Sequence, residues 1–568
     1  MATPRLFGYC LRRFLTSFAL VLALAAAAGA QNAPRLGDRP YAKLFTLIPG
    51  GPLAEEVTDE NLRFIAKNYF WINSHGGAWL KGSAHEPEIF FGTSGVRDST
   101  GRTVGERLRQ LNPGIILTNY RNGAYTNQDA ITEAAEVERD LPLAIAVHDT
   151  GARLASGIDA TETTVRLTAP AARPAGQPAT YPFKASTTSE PYTRDKENYV
   201  AWLRLGDEVL RIDRVGVENA QIVLTVRRGH WGTNAAGHAA EGRVLQPVYC
   251  GAIRPDGEEY YLSGLLDGNS PQPAVRYIMQ QQHPAFWEFL ARITAGLLAE
   301  GVKPWYDCST SSWINHSNAY GVRVEPFDLE SGQSLSRETL REYQQRKLDF
   351  LQKRFPEAEL YVNWIFPQHW FRNGHERYML TGENGHRPVA GAALEMYANH
   401  RYMPWDELVR VQIDQRDLGL RIVSWAKETG VGNDDSRMAT DYLLFAYGTY
   451  LLVHEPDGEN YFGASWRNPH RTGRFVPPEF VYWDFGAPRQ KFANLEEAEH
   501  PEHAGVYGRR FENGEVLVNP DASATREIIL PQPAFDARER RWTERVTLRP
   551  RTAALLLRHD NEAHDEAR

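Results

Sequence analysis

From Tyr41 to Trp466, short apolar runs alternate with amphipathic stretches, and this alternation restricts the fold more than any other feature of the sequence. Apolar runs of strand length, followed by stretches with apolar residues three and four apart, are typical of alternating strands and helices. Eight runs have strand character: Lys43 to Ile48, Tyr69 to Asn73, Gly114 to Asn119, Lys303 to Asp307, Leu360 to Asn363, Gly391 to Glu395, Leu420 to Trp425 and Tyr461 to Ser465. The pattern therefore predicts an α/β fold in which eight parallel strands close into a (β/α)8 TIM barrel.

Helix boundaries in this region carry local signals as well. Thr58 and Ser336 offer side-chain oxygens that can cap the first turns of the helices that follow them. Gly301 and Gly419 stand where two helical stretches should stop. These signals support helices that begin after Thr58 and Ser336 and that end before Gly301 and Gly419.

Residues 160 to 248 break the alternation, because period-two runs follow one another there with no helix between them. We interpret this segment as a small all-β insert in the barrel, which divides it into a first part at 31 to 159 and a second part at 249 to 475. Short β runs return after the barrel, together with the hairpin signal Glu512-Asn513-Gly514. Residues 476 to 558 are therefore predicted to form a C-terminal β-sandwich, and residues 559 to 568 a polar tail.

The insert carries the runs Gly206 to Leu210, Arg227 to Thr233 and Ala236 to His238. These runs resemble small β modules attached to phage-tail and glycosidase-like proteins. The resemblance implies surface attachment or cradling of a substrate and not chemistry. Since loops on the C-terminal face of a barrel surround its active site, the insert is expected to wall one side of the cleft.

The first thirty residues have the three-part layout of a secretory signal peptide. Arginines 5, 12 and 13 precede an apolar run from Phe14 to Ala28, and small residues end at Ala30. We therefore predict that residues 1 to 30 are removed and that the protein is secreted or periplasmic, with no integral membrane segment afterwards. The alternative is an uncleaved membrane anchor.

Composition argues against several classes of partner. The formal net charge is −8, and no run of lysine or arginine suggests a nucleic-acid partner. Neither a CxxC nor an HExxH motif is present, so neither a metal nor a cofactor is predicted. Cys250 and Cys308 remain after the signal peptide, and a disulfide and two free thiols are both open. The oligomeric state is left undetermined.

The chemistry of a TIM barrel is carried by residues at the carboxyl ends of its strands. The fourth predicted strand ends in Asp307 and the sixth in Glu395. Hydrolysis of a glycosidic bond needs one carboxyl group to protonate the leaving oxygen and another to attack the anomeric carbon or activate water. Because alternate strands face each other over the barrel mouth, Asp307 and Glu395 are the predicted catalytic pair. A rival carboxylate, Glu428, follows the seventh strand.

Other residues that follow the predicted strands could bind sugar. Amides, imidazole and cations hydrogen-bond hydroxyl groups, and indole rings stack on the C–H faces of sugars. The substrate-binding candidates are Asn73, His75, Asn119, Tyr120, Arg121, Asn363, Trp364, Trp425 and Lys427. Taken singly, each is as readily explained by packing or capping, so the prediction depends on their convergence at one face of the barrel.

The order Asp307, Asn363 and Glu395 at three successive strand ends, followed by Phe511-Glu512-Asn513-Gly514-Glu515-Val516-Leu517-Val518-Asn519-Pro520, resembles a known group. It resembles the hypothetical glycosyl hydrolase-like (β/α)8-barrel family, which is similar in layout to the clan of α-galactosidases. The resemblance covers most of residues 41 to 558. It implies that Asp307 is the nucleophile and Glu395 the acid/base. Those relatives often carry Asn or Gly after the strand-four acid, where this chain has Cys308.

The sequence thus predicts an exported glycoside hydrolase-like enzyme whose partner is a carbohydrate, an oligo- or polysaccharide. The alternative, from another class of protein, is a non-catalytic carbohydrate-binding or surface-assembly protein built on a degenerate glycosidase barrel. The sugar, its linkage and a retaining or inverting outcome are not predicted, because the outcome depends on the separation of the two carboxyl groups.

Overall fold

The computed structural model of the protein describes most of the chain beyond its first thirty-five residues. The described residues are 36–49, 58–75, 97, 101–135, 139–170, 173–186, 200–250, 276–307, 316–320, 322–329, 331–363, 365, 370–371, 374–395, 397–399, 404–427, 436–465 and 477–558. The predicted signal peptide and polar tail lie outside them. Within the described residues, no helix is both long and apolar enough to cross a membrane.

Eight parallel strands close into a barrel in chain order, which confirms the predicted fold class. The barrel strands are β1 (Leu44–Pro49), β2 (Tyr69–His75), β3 (Ile116–Asn122), β4 (Lys303–Asp307), β5 (Tyr361–Asn363), β6 (Gly391–Glu395), β7 (Ile422–Lys427) and β8 (Asn460–Ser465). The bounds of β4 and β6 agree with the predicted runs, whereas β3 begins and ends later than Gly114 to Asn119.

The register of the barrel determines which residues share a height. A path through paired Cα atoms can be taken once around all eight strands. It returns to β1 eight residues before its starting residue. This is the stagger of a TIM barrel, and it amounts to one residue per strand. Residues at one height therefore come from alternate strands, either the odd-numbered or the even-numbered ones.

The described helices form the outer layer. They are α1 (Asp59–Asn68), α2 (Val104–Leu111), α3 (Gln128–Ala135), α4 (Pro284–Ala299), α5 (Arg337–Arg354), α6 (His375–Thr381), α7 (Trp405–Asp417) and α8 (Ser436–Val453). The predicted hydroxyl caps are confirmed, because the side chain of Thr58 accepts from the backbone N–H of Asn61 and that of Ser336 from Thr339. Gly301 and Gly419 follow two helix ends with φ of 70° and 65°, a conformation that favours glycine.

Aromatic rings fill the lower part of the barrel. The ring centroids of Trp71 and Trp305 are 5.1 Å apart, and those of Trp71 and Tyr361 are 4.7 Å apart. Phe45 packs against the same group and lies 5.5 Å from Trp425. These side chains are almost fully buried and form a core separate from that of the helices. The barrel is therefore closed below its mouth by a packed aromatic floor.

The insert is a closed antiparallel sheet. Its six strands are Val147–Leu154, Thr164–Thr168, Trp202–Leu205, Glu208–Glu218, Gln221–Arg227 and Arg243–Pro247. The last strand pairs with the first, so the sheet begins at Val147 and not at the predicted residue 160. Two short strands, Phe327–Asp328 and Gln333–Ser334, extend it from the connection that follows β4.

A second small sheet joins the insert to the barrel. Its strands Tyr125–Asn127 and His316–Ser317 come from the connections after β3 and β4, and Tyr249–Cys250 and Arg276–Ile278 come from the chain after the insert. Because the connections after β3 and β4 leave the carboxyl ends of those strands, this sheet stands on that side of the barrel mouth.

The C-terminal region is a five-stranded antiparallel sheet. Its strands are Tyr507–Arg510, Gly514–Asn519, Arg526–Asp536, Arg541–Leu548 and Thr552–Leu557. One face joins the core that includes α8, and the other buries Leu517 and Leu556 with Ile528 and Val546. The hydrogen bonds run through all five strands, so this β region is a single sheet with two buried faces.

Candidate active site

The carboxyl ends of the even-numbered strands bring four polar residues to one height of the barrel. Tyr306 pairs with Val362, and Val362 pairs with Ala392. Continued by one residue, this register pairs Asp307 with Asn363 and Asn363 with Ala393. The stagger of one residue per strand, taken over the two steps from β4 to β6, then places Glu395 at the height of Asp307. The same register adds His75 from β2 and Ser465 from β8. The backbones of Asp307 and Glu395 thus belong to one layer, on alternate strands.

Glu395 is the described carboxylate of this layer. It is 4% exposed, and its Oε2 accepts a hydrogen bond from Nδ2 of Asn363, which is completely buried on β5. Asn363 lies between the strands of Asp307 and Glu395 in the barrel. For Asp307 the structure describes the backbone, and its position in the strand alternation is that of the inward-facing Trp305.

Asn119 and Arg121, two residues of β3 that were predicted to bind substrate, face away from the barrel interior. Ile116 belongs to the aromatic interior and Thr118 accepts from the indole N–H of Trp71, so the even-numbered residues of β3 face inward. Asn119 and Arg121 alternate with them and face the helices. The prediction failed because it ended β3 at Asn119, whereas the strand continues to Asn122.

Arg121 illustrates this outward position. It is 5% exposed, and burial lowers the pKa of its guanidinium to about 10, although the neighbouring Tyr306 raises it. Tyr306 itself belongs to the core under the helices, and burial raises the pKa of its hydroxyl group. Arg121 therefore lies in the layer between barrel and helices, outside the mouth.

Trp425 and Tyr120 lie one level below the layer of Glu395. Trp425 is 1% exposed and packs on Phe45, so no face of its ring is free to stack on a sugar. Tyr120 is half-buried and packs against the same aromatic core. The prediction that Trp425 stacks on a sugar ring is therefore wrong, while Tyr120 keeps an inward position near the mouth.

Asn73 lies deeper in the barrel. Its side chain is completely buried, and neither its Oδ1 nor its Nδ2 has a hydrogen-bond partner within the described part of the chain. Trp305 of the same layer is equally buried, and no described residue accepts a hydrogen bond from its indole N–H. The other members of this layer, Ala393 and Gly463, have small side chains or none. The floor below the candidate site thus contains uncompensated polar groups within an aromatic core.

The remaining predicted residues are only partly described. His75 and Lys427 end β2 and β7, where the structure gives their backbones. Trp364, the rival Glu428 and Cys308 lie outside the described residues. Sequence reasoning missed Ser465, although a polar residue at the end of β8 satisfies the same strand-end criterion. Asn122, at the end of β3, caps the turn that follows, because its side chain accepts from the backbone N–H groups of Ala124 and Tyr125.

Within the described residues, no group of three or more His, Cys, Asp or Glu side chains could hold a metal ion. A groove of about 350 Å³ runs along α5 instead of over the mouth. It is lined by Glu338, Arg341, Glu342, Gln345, Arg346, Asn384 and His386. None of these is one of the strand-end residues of the barrel.

Comparison with known proteins gives no family. No protein-family model and no curated protein matches the chain. Solved structures with a similar chain course include the glycoside hydrolase domain of PelA from Pseudomonas aeruginosa, at 12% identity over 74% of this chain and 95% of that one, with a TM-score of 0.31. The trehalulose synthase MutB from Pseudomonas mesoacidophila MX-45 is 9% identical over 91% and 98% of the two chains, with a TM-score of 0.39.

The debranching enzyme of Nostoc punctiforme is 10% identical over 92% and 100% of the two chains, with a TM-score of 0.34. None of these three structures is described as an α-galactosidase, so membership of that clan stays a prediction. At such identities and TM-scores the likeness carries no argument about activity. The fold of this chain rests on its own strand order: it is a (β/α)8 barrel with an all-β insert and a C-terminal β region.

Proposed function

We propose that the protein is an exported glycoside hydrolase-like enzyme that cleaves an oligo- or polysaccharide with Asp307 and Glu395. The observation that carries the proposal is the barrel register, by which the backbones of these two acids share one layer at the carboxyl ends of β4 and β6. A sugar bound across this layer would have one carboxyl group on each side of its glycosidic bond. One group would protonate the leaving oxygen, and the other would attack the anomeric carbon or activate water.

The surroundings of this layer suit a sugar. The aromatic floor excludes water from below, and such exclusion strengthens electrostatic interactions with charge that develops in the transition state. Of the predicted contacts, we retain His75, Tyr120, Trp364 and Lys427 as candidates for binding hydroxyl groups or ring faces. Asn73 is retained as a polar group of the floor. The sheet that contains Tyr125–Asn127 and His316–Ser317 would form one wall of the cleft.

The test is a screen of polysaccharides and aryl glycosides for release of reducing ends or phenol. On polysaccharides and on unactivated phenyl glycosides, Asp307→Asn and Glu395→Gln should each lower kcat by at least about 100-fold, because each removes a carboxyl group from the chemical step. Glu218→Gln is the matched control, since Glu218 lies on the insert in a solvent-exposed pair with Arg166. Sugar binding by the wild type and both variants, without hydrolysis by any of them, would instead support a non-catalytic carbohydrate-binding protein, and full activity in both variants would show that the two acids are not catalytic.

Export is a separate part of the proposal and has its own measurement. The proposal predicts that the chain made in a bacterium with a secretion pathway is recovered outside the cytoplasm. Mass spectrometry of that material should give a mature N-terminus at Gln31, after the small residues that end the apolar run. Recovery of the intact chain in the membrane fraction would identify an uncleaved anchor.

A further inference from the structure

Asn363 connects the two strands that carry the candidate acids. It ends β5, which pairs with β4 on one side and β6 on the other. Its side chain is completely buried, and its Nδ2 donates to Oε2 of Glu395. Asn363 was predicted to bind substrate, but the described contact is with a carboxylate of the site.

The direction of this hydrogen bond bears on the charge of Glu395. An N–H donor stabilises a carboxylate more than a protonated carboxyl group, and hydrogen bonds to a charged acceptor are the stronger kind. Because Glu395 is almost fully buried, few water molecules can compete with this donor. A residue that serves as the general acid must instead carry a proton when the substrate binds, and a donor aimed at its oxygen disfavours that state.

We propose that Asn363 is a positioning residue that keeps Glu395 ionised, so that Glu395 is the nucleophile or general base and Asp307 the general acid. This is the reverse of the roles implied by the resemblance described above, and it rests on the proposed glycosidase function. The proposal assigns Asn363 no contact with the substrate.

The proton and bond changes balance in either stereochemical course. Asp307 gives its proton to the glycosidic oxygen as the bond from that oxygen to the anomeric carbon breaks. In a retaining course, Glu395 forms an ester with the anomeric carbon, and water later displaces it while Asp307 takes back a proton. In an inverting course, Glu395 takes the proton of the water whose oxygen bonds to the anomeric carbon. Each course consumes one water molecule and releases two sugars.

A series of aryl glycosides with different leaving groups distinguishes the two role assignments. A general acid matters little when the leaving phenol is acidic, because such a phenol departs without protonation. Asp307→Asn should therefore retain most of the wild-type kcat/KM on a 2,4-dinitrophenyl glycoside and lose at least about 100-fold in kcat/KM on a phenyl glycoside. Glu395→Gln should lose activity by a similar factor on both. The opposite pattern would overturn the assignment but leave the glycosidase proposal intact.

The pH profile tests the part played by Asn363. Asn363→Ala removes an N–H donor from a carboxylate, so the acidic limb of kcat/KM should move to higher pH. If the amide instead accepted the proton of a protonated Glu395, its loss would move the basic limb to lower pH. Such a shift, or an unchanged profile with a raised KM, would overturn the positioning role.

Asn519→Ala is the control for loss of a buried amide. Asn519 is also completely buried, and its Nδ2 donates to backbone carbonyl groups in the C-terminal sheet. This variant should lose stability without any change in either pH limb. Failure of the underlying glycosidase proposal would look different again, because both acid variants would then keep wild-type behaviour or the wild type would hydrolyse no substrate.

Discussion

Asn73 shows how a single residue can oppose stability in a barrel core. Among the residues that the structure describes, neither polar atom of its buried amide has a hydrogen-bond partner, and the core of the barrel at this depth is aromatic. A buried polar group without a hydrogen bond costs about 1–3 kcal/mol of stability. Residues retained at such a cost are often functional, which is the reason for keeping Asn73 as a polar group of the candidate site.

Replacement of Asn73 with leucine, which is similar in size and apolar, should therefore stabilise the fold. We expect Asn73→Leu to raise the free energy of unfolding by about 1–2 kcal/mol, because it removes the uncompensated amide. Urea denaturation measures this change, and Asn363→Leu serves as a comparison, since the amide of Asn363 is hydrogen-bonded. A loss of stability in Asn73→Leu would show that the amide is satisfied in solution.

Glu376 is a second buried polar residue, at the start of α6. Its side chain is 1% exposed, its Oε2 has no hydrogen-bond partner among the described residues, and burial raises the pKa of the carboxyl group to about 7. Between about pH 4.5 and 7 the unfolded chain releases this proton while the folded chain keeps it. The free energy of unfolding should therefore fall as pH rises through this window, by about 3 kcal/mol from this group.

Glu376→Gln should remove this contribution. The variant should match the wild type near pH 4 and exceed its stability at pH 8, since glutamine does not titrate. Thermal or urea unfolding at several pH values gives the difference between the two slopes. Parallel slopes for the variant and the wild type would mean that Glu376 is hydrated in the folded state.

At the scale of an element, the insert depends on one buried carboxylate at the start of its long strand Glu208–Glu218. Arg228 forms two 2.8 Å hydrogen bonds to Glu208, and the backbone N–H groups of Gly229 and Ala236 also donate to it. Burial alone raises the pKa of Glu208, but these donors and His238 lower it to about 2. The carboxylate thereby ties the start of this strand to two segments that lie 20 to 30 residues further along the chain.

Glu208→Ala should destabilise the insert strongly. It leaves the Arg228 side chain buried without its counter-charge, a change that costs about 3–5 kcal/mol. Glu218 ends the same strand as Glu208, and its pair with Arg166 is exposed to solvent. Glu218→Ala should therefore cost at most about 1 kcal/mol of stability. Urea denaturation of the full chain compares the two variants, and equal losses would refute the structural role of Glu208.

For the whole molecule, the C-terminal sheet depends on a close approach to α8. A Cβ atom at Gly448 would lie 2.5 Å from the Cβ of Ala553, on the strand Thr552–Leu557. Glycine at this position lets the sheet pack directly against the helix backbone. The same core cluster contains residues of the barrel helices and of the sheet, so the two parts share their hydrophobic burial.

Gly448→Ala should therefore destabilise the protein by about 1–3 kcal/mol through overpacking, despite the higher helix propensity of alanine. Gly296→Ala in α4 is the matched control, because a Cβ atom there meets nothing within 4 Å. That variant should gain up to about 1 kcal/mol. Thermal unfolding and proteolysis compare them, and equal behaviour of both glycine variants would argue against a close sheet-to-helix contact.

The sequence by itself determined the elements of the barrel, because hydrophobic period and capping residues are local properties. It predicted β4 and β6 with the observed bounds, and with them the ends at Asp307 and Glu395. It misjudged β3 because strand ends have weak local signals. That error assigned Asn119 and Arg121 to the mouth, and the alternation of the strand turns both toward the helices.

Only the tertiary structure shows which residues are brought together by pairing between distant segments. The stagger of the barrel brings the backbones of Asp307 and Glu395 to one height, and it buries Trp425 beneath them. The insert begins at Val147 because that strand pairs with Arg243–Pro247. The hydrogen bond from Asn363 to Glu395 likewise joins two strands. Such relations follow from register and closure, which no window of neighbouring residues encodes.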